Sequence, residues 1–174
     1  MRRIILTFGL IAGGIMSAML FATIPFKEQI GFDKGAIVGY SSMVLAFLFV
    51  YFGIRTYRDT VAGGRVSFGR AVQVGALISL VATVCYVATW QVVYTHFMPD
   101  FMERYAEYSL EQARAAGASA AELDTQRADM AAFAESYRNP FVRMGFTALE
   151  PLPVALVFTL VSAALLSRRK QPTG

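Results

Sequence analysis

The chain has 174 residues, of which 56% are hydrophobic and only 16% are charged. Soluble domains carry about a quarter charged residues, so this composition indicates a membrane protein and excludes an ordinary soluble domain. The formal net charge of +4 does not indicate nucleic-acid binding, because the basic residues flank apolar runs instead of forming one patch.

Four apolar stretches are long enough to cross a bilayer as helices, since a hydrocarbon core needs roughly 20 apolar residues in helical form. They cover residues 4–24, 35–54, 71–94 and 147–166. The first stretch exceeds the apolar part of a signal peptide, about 7–15 residues, so we expect it to be retained as a span. The sequence therefore predicts an all-α membrane protein, a single domain of four transmembrane helices over residues 1–174.

Charged residues distribute unequally between the two predicted sides of the membrane. One side carries a single acid, Asp59, and a set of nine basic residues: Arg2, Arg3, Arg55, Arg58, Arg65, Arg70, Arg168, Arg169 and Lys170. All other acids except Glu150 lie on the opposite side. Cytoplasmic segments are enriched in arginine and lysine, so we predict that both termini are cytoplasmic. Trp90 and Tyr94 fall near the outer end of the third span, where an aromatic belt is expected.

Residues 99–139 form one long polar insert between the third and fourth spans. Apolar residues recur along it at helical spacing, and Gly117 interrupts them. Ser119 and Glu122 then form an S-x-x-E capping box. We predict an extracytoplasmic helical hairpin that docks on itself or on the membrane surface. A self-packed seam is favoured over a partner-binding face, because aromatic stripes are usually packing surfaces.

The loop RTYRDTVAGGRVSFGR contains four arginines, Arg55, Arg58, Arg65 and Arg70, around a glycine pair. Arginine forks suit phosphate oxygens, so these residues are a candidate site for anionic lipid headgroups. The alternative, which we favour, is a loop whose charge only orients the protein, with Asp59 neutralising one arginine. The loop lacks the P-loop pattern, so a nucleotide site is not indicated.

Small residues recur at helix-contact spacing in the first three spans. The first span contributes Gly9, Gly13 and Ser17 to this pattern. Such ridges let helix backbones approach closely. Packing inside the helical bundle is the favoured interpretation, and homo-oligomerisation through one ridge is the alternative.

Glu150 is an acid inside the fourth apolar stretch, followed by Pro151 and Pro153. Carboxylates within spans are functional candidates by default, so Glu150, with Arg143 nearby, is a candidate proton or cation site. Counting back about 20 residues from Leu166 places Glu150 in the outer third of the bilayer rather than at its midplane. An acid before proline also suits a helix N-cap. Whether residues 140–149 continue the fourth helix or form a separate interfacial segment stays open.

Three sequence segments resemble a known family. They are GYSSMVLAFLFVYFGIRTYRD, GGRVSFGRAVQVG and EPLPVAL, in this order, together with the acidic insert before the last of them. They resemble small bacterial membrane proteins catalogued as domain of unknown function 4199, over nearly the whole chain. The resemblance implies the four-span fold and a location in the bacterial inner membrane, and it implies no activity.

These patterns predict an integral inner-membrane protein that serves as a structural or accessory bundle, or that binds lipid or a partner. The alternative is a small proton- or cation-coupled transporter that uses Glu150. An enzyme is not expected, because no nucleophile and base occur together within the spans. We expect no cofactor and no metal, since His96 is the only histidine. The expected partners are the bilayer, anionic lipid headgroups and a second copy of the chain.

Overall fold

The computed structural model describes residues 1–167, so the predicted basic cluster of Arg168, Arg169 and Lys170 lies outside the described residues. Within residues 1–167 all regular structure is helical, and no strand occurs. The α-helices are α1 (Arg2–Thr23), α2 (Lys27–Thr60), α3 (Phe68–His96), α4 (Phe101–Ala115), α5 (Ala120–Tyr137), α6 (Pro140–Leu149) and α7 (Leu152–Ser167).

Among residues 1–167, three helical stretches are long and apolar enough to cross a membrane: Arg2–Thr60, Phe68–His96 and Pro140–Ser167. The first of them reverses direction. A short 3-10 helix, Ile24–Phe26, connects α1 to α2, and Gly31 breaks the helical geometry near the start of α2 with φ 64° and ψ −176°. Phe8 in the first half of α1 lies against Gly53 near the end of α2, so the two helices are antiparallel.

The small residues of α1 face α3. Gly9 lies against Val81, Gly13 lies against Cys85, and the Ser17 and Thr89 hydroxyls are 2.7 Å apart. The three pairs share a separation of 72 residues, so α1 and α3 run parallel in a constant register. The small-residue ridge predicted on α1 therefore packs against α3 of the same chain.

Helices α1, α2, α3 and α7 share one apolar core. Each helix contributes fully buried residues to this core, among them Met16 of α1, Phe47 of α2, Ile78 of α3 and Ala163 of α7. Gly75 of α3 admits Thr159 of α7, and the Thr159 hydroxyl is 3.4 Å from the Ser79 hydroxyl. Exposed leucines, valines and phenylalanines cover the outer faces of these helices, which is compatible with a membrane protein.

Glu150 and Pro151 form a two-residue turn between α6 and α7. The structure thus answers the open question about residues 140–149, which form a helix of their own. The N-cap interpretation of Glu150 is wrong, because its backbone is helical, with φ −58° and ψ −50°. Helical geometry before a proline is disfavoured but not forbidden, and here the chain continues into α7, where the Ala155 amide donates to the Pro151 carbonyl at 2.9 Å.

Helices α4 and α5 lie side by side, joined by a turn in which Gly117 adopts φ 87°. The Gln126 side-chain amide donates to the Ser109 hydroxyl across the pair at 2.8 Å. The predicted capping box at Ser119 and Glu122 is present, with both reciprocal bonds. The aromatic seam of α4, however, packs on Phe32 of α2 rather than on α5. It consists of Phe101, Tyr105 and Tyr108. Sequence spacing identified this seam but not its partner, which lies about 70 residues earlier in the chain.

Candidate functional site

A cleft of about 610 Å³ opens where the end of α1 and the start of α2 approach α3 and α4. We call it the aromatic cleft. Its aromatic lining residues are Phe32, Tyr40, Tyr86, Trp90, Phe101, Tyr105, Tyr108 and Tyr137, and its charged ones are Lys27, Glu28, Asp33, Arg104 and Glu150. Gly31 and Gly39 also line it and carry no side chain into it. The volume falls within the range of small-molecule sites, about 300–1,000 Å³.

Glu150 is a lining residue of this cleft and contacts α3. Its carboxylate accepts a 2.6 Å hydrogen bond from the hydroxyl of Tyr86, a residue that is only 9% exposed. Glu150 is an exposed residue and belongs to the lining of the cleft. Pro151 and Pro153 have no N–H to donate to the carbonyls of Thr147 and Leu149, as a regular helix would require. The site therefore combines a carboxylate with a phenol hydroxyl.

Trp90 forms the wall next to Tyr86, one helical turn further along α3. Its indole N–H donates to the Tyr137 hydroxyl at 2.9 Å, and its ring meets Phe101 edge to face at 5.0 Å. Trp90 is 9% exposed. Trp90 and Tyr94 lie in the last two turns of α3, near the end that the sequence assigns to the outer face. Trp90 is covered there by Phe101 of α4 and Tyr137 of α5, and its polar N–H has a protein partner.

Arg143 lies on α6, 6% exposed, and does not pair with Glu150. Its Nε donates to the Gln91 side-chain oxygen at 2.8 Å and its Nη1 donates to the Tyr137 carbonyl at 3.2 Å. The guanidinium also stacks over the Tyr94 ring, 4.2 Å from its centroid. Arg143 thus ties α6 to α3 and α5, while Glu150 bonds a different residue and faces the cleft. The two members of the predicted site have separate roles.

Helix α4 is held over the cleft by contacts to the start of α2. Arg104 forms a bidentate pair with Glu28, at 2.8 and 2.9 Å, and the Tyr108 hydroxyl donates to Asp33. Phe32 adds ring contacts, with its centroid 5.1 Å from that of Tyr108. The hydrogen bond to Asp33 raises the pKa of Tyr108 above its usual value. These contacts make α4 a wall of the cleft.

The candidate anionic-lipid arginines lie at the opposite end of the helices. Arg58 bonds Asp59 at 2.6 Å and Arg55 approaches the same carboxylate at 3.7 Å, while Arg70 donates to Gln73 at 2.7 Å. Arg65 is exposed in the turn where Gly63 and Gly64 adopt positive φ. Asp59 thus neutralises part of this charge, as the orienting interpretation expects. The four side chains share a region but contact different partners.

Sequence reasoning missed Tyr86, Trp90 and Tyr137 as members of a site. Tyr86 and Trp90 are one turn apart, which places a hydroxyl and an indole N–H on the same face of α3. Two polar aromatics on one face of a span are a usable signal. Their partners on α5 and at the α6–α7 turn could not be inferred, because those contacts join residues 47 and 64 positions apart.

Comparison with known proteins identifies the family. The sequence profile of the family described as protein of unknown function (DUF4199) matches residues 7–168, nearly the whole chain. The chain belongs to this family, and the resemblance expected from its motifs is confirmed. No curated protein and no solved structure matches it significantly.

Proposed function

We propose that this DUF4199 member is a four-span integral membrane protein that binds a small amphiphilic molecule in the aromatic cleft and catalyses no reaction. The observation that carries the proposal is the cleft itself: about 610 Å³, walled by aromatic rings, with the Glu150–Tyr86 pair as its convergent polar group. Ligand sites in proteins typically combine a mostly apolar wall with a few placed polar groups.

The four proposed spans are α1, α2, α3 and the α6–α7 pair. Helix α1 has 22 residues and is about 33 Å long, which matches a hydrocarbon core of about 30 Å. The antiparallel packing of α1 on α2 supports two crossings within residues 2–60. If α1 crosses the membrane in one direction, an antiparallel α2 beside it returns to the first side. Antiparallel packing of α7 on α3 adds the fourth crossing.

The α4–α5 pair is proposed to lie outside the membrane. Its surface carries exposed ion pairs, Arg127 with Asp124 at 2.7 Å and Arg138 with Glu135 at 3.1 Å. Exposed charges of this kind are costly in hydrocarbon. Arg2 and Arg3 begin α1 at the same end of the helices as the arginine loop, which supports cytoplasmic termini in a bacterial inner membrane.

Filling the cleft tests the proposed function. Gly39 lines the cleft, and a Cβ placed there meets no atom within 4 Å, so Gly39→Phe adds a ring at the cleft lining without a clash at its Cβ. Gly14 has equally open surroundings on α1 but does not line the cleft, so Gly14→Phe is the matched control. Native mass spectrometry would follow the mass added by monolaurin, a neutral single-chain amphiphile. We expect binding to the wild type and to Gly14→Phe, and loss of binding in Gly39→Phe. Equal binding by all three proteins, or none to the wild type, contradicts the proposal.

A second candidate function is cation-coupled transport, which is favoured by a carboxylate, Glu150, in the lining of a cleft beside the proposed spans. In proteoliposomes this function predicts a pH-dependent cation flux that Glu150→Gln abolishes while the protein stays folded. An absence of flux for every cation tested leaves binding alone as the function.

Anionic lipid headgroups are the proposed partners of the arginine loop. Arg55, Arg58, Arg65 and Arg70 are spread over one end of the helices, where a phosphate-rich surface is expected. Weaker cardiolipin retention in the double variant Arg58→Ala, Arg65→Ala is the expected result. Unchanged retention argues for a purely orienting role. A homo-oligomer is not favoured through α1, since its glycine ridge already packs on α3.

A further inference from the structure

We infer that the ligand of the aromatic cleft is a lipophilic organic monocation whose charged group lies against Glu150. This inference rests on the proposed function, because it names the chemical class that the same cleft would bind. It is carried by three features of the lining: the pairing of its charges, the arrangement of its aromatic rings, and its size.

The charged groups of the cleft are paired in a way that leaves negative charge available. Arg104 forms an ion pair with Glu28, whereas Lys27 donates to the neutral Phe97 carbonyl at 3.4 Å and keeps its charge. Two carboxylates, Asp33 and Glu150, then stand against one lysine, so the lining carries a net negative charge. Asp33 and Glu150 accept hydrogen bonds from neutral tyrosine hydroxyls instead. Within residues 1–167, Glu150 has no ion-pair partner. A cation would therefore find a carboxylate that needs a counter-charge.

Arg143 is the basic residue nearest to Glu150 in the sequence, so it is the first candidate for an ion pair with Glu150 or for binding an anion. Its guanidinium is engaged instead by Gln91, the Tyr137 carbonyl and the Tyr94 ring, and Arg143 is not among the lining residues of the cleft. An anionic ligand in the cleft would meet two carboxylates, Glu150 and Asp33, against one lysine without an ion-pair partner, Lys27. Charge complementarity thus favours a positive ligand over a negative one.

Aromatic residues form much of the lining that Glu150 shares. Tyr40, Tyr86, Trp90, Phe101, Tyr105 and Tyr137 all line the same cleft as its carboxylate. The faces of tryptophan and tyrosine rings attract cations, most of all desolvated ones such as quaternary ammonium groups. An organic cation gains from these faces and from burial of its apolar substituents, whereas a strongly hydrated inorganic ion does not.

The dimensions of the cleft favour an occupant larger than a bare metal ion. A cleft of about 610 Å³ has the size of a drug-like ligand, while a metal ion needs several ligand atoms within coordination distance. Across the part of the chain that the structure describes, no group of three histidine, cysteine, aspartate or glutamate residues is placed to hold one. The ligand that suits this cleft is therefore a bulky apolar molecule with one positive charge.

Two probes of nearly the same size and shape, with opposite charges, test the inference. Tetraphenylphosphonium is a lipophilic cation, and tetraphenylborate is its anionic counterpart. Each would be titrated into the purified full-length protein in neutral detergent, with bound probe measured by equilibrium dialysis. We expect the wild type to bind tetraphenylphosphonium at least about tenfold more tightly than tetraphenylborate, the ratio that one charged contact provides.

Three variants assign this preference to Glu150. Glu150→Gln should lose at least about tenfold in tetraphenylphosphonium affinity, because it removes the charge and keeps the side-chain shape. Glu150→Asp keeps the charge and should keep the preference for the cation. Glu111→Gln removes an exposed carboxylate on α4 and should bind as the wild type does. Thermal unfolding of each variant checks that the protein is folded.

The outcomes separate this inference from the function on which it rests. Equal affinity for the two probes, or unchanged cation affinity in Glu150→Gln, overturns the cation assignment while monolaurin binding and its loss in Gly39→Phe still support an amphiphile site. If neither probe binds and monolaurin also fails to bind, both the inference and the proposed function are wrong. If neither probe binds but monolaurin does, the ligand is neutral and the inference alone is overturned.

Discussion

The contact between α1 and α3 predicts that adding one methyl group at Gly13 destabilises the protein. A Cβ at Gly13 would lie 2.6 Å from the Cβ of Cys85 and 2.9 Å from its Sγ. Carbon atoms in favourable contact are about 3.5–4.0 Å apart, so the two helices would have to separate by about 1 Å. The backbone of α3 also approaches, with the Ala82 Cα 3.3 Å from the added atom, so a side-chain rotation alone cannot relieve the clash.

The magnitude follows from two opposing effects. Overpacking a tight interface costs about 1–3 kcal/mol, whereas alanine is favoured over glycine in a helix by about 1 kcal/mol. Gly14→Ala isolates the second effect, because Gly14 is the next residue of the same helix and has nothing within 4 Å of an added Cβ. The free energy of unfolding of Gly13→Ala should therefore lie about 1–3 kcal/mol below that of Gly14→Ala.

Equilibrium unfolding in mixed micelles of a mild detergent and dodecyl sulfate measures this difference. Trp90 is the only tryptophan, and its burial against Phe101 and Tyr137 makes its fluorescence a reporter of tertiary structure. Combining Gly13→Ala with Cys85→Gly moves the bulk from one helix to the other and should recover part of the loss. If Gly13→Ala and Gly14→Ala unfold at the same detergent composition, the close approach of α1 to α3 is refuted.

The remaining predictions concern hydrogen bonds, beside the Gly39 and Glu150 variants described above. Ser17→Ala removes the interhelical bond to Thr89 and should lower the free energy of unfolding by about 0.6 kcal/mol in the same titration; no change would mean that water or lipid replaces the bond. Ser119→Ala should destabilise α5 by about 1 kcal/mol, measured by amide exchange along that helix, and unaltered protection would contradict it. The Ser119 amide and hydroxyl lower the pKa of Glu122, so this cap stabilises the fold above the usual carboxyl pKa and is lost as the pH falls through the lowered value. The deficit of Ser119→Ala should accordingly shrink on acidification, and a deficit that grows would refute the assignment.

Much of the architecture could be predicted because it depends on local patterns. Long apolar runs, the Gly117 break and the Ser119 capping box each act within a few residues, and the structure has a helix or a turn at every one of them. The apolar runs do not predict the break at Gly31 or the separation of α6 from α7. The separation of α6 from α7 depends on how the surrounding helices pack around Pro151, which is fully buried.

The candidate site was only partly visible in the sequence. An acid within an apolar run marks Glu150 as unusual, but nothing near it in the chain indicates Tyr86 as its partner. The sequence also did not indicate the contacts of Arg143, because helical spacing relates residues on one helix and carries no information about the neighbouring helices. Gln91 and Tyr94 of α3 hold that arginine through contacts that only packing creates.

By itself, the sequence determined that the chain is helical, apolar enough for a membrane, and a member of its family, since composition and local periodicity carry these properties. The tertiary structure alone decided that α1 packs in parallel register on α3, that α4 closes over the start of α2, and that a cleft lies between them with Glu150 in its lining. The physical reason is the range of the interactions. Helix formation depends on hydrogen bonds four residues apart, whereas the cleft is made by aromatic rings and polar side chains that meet only when distant helices pack together.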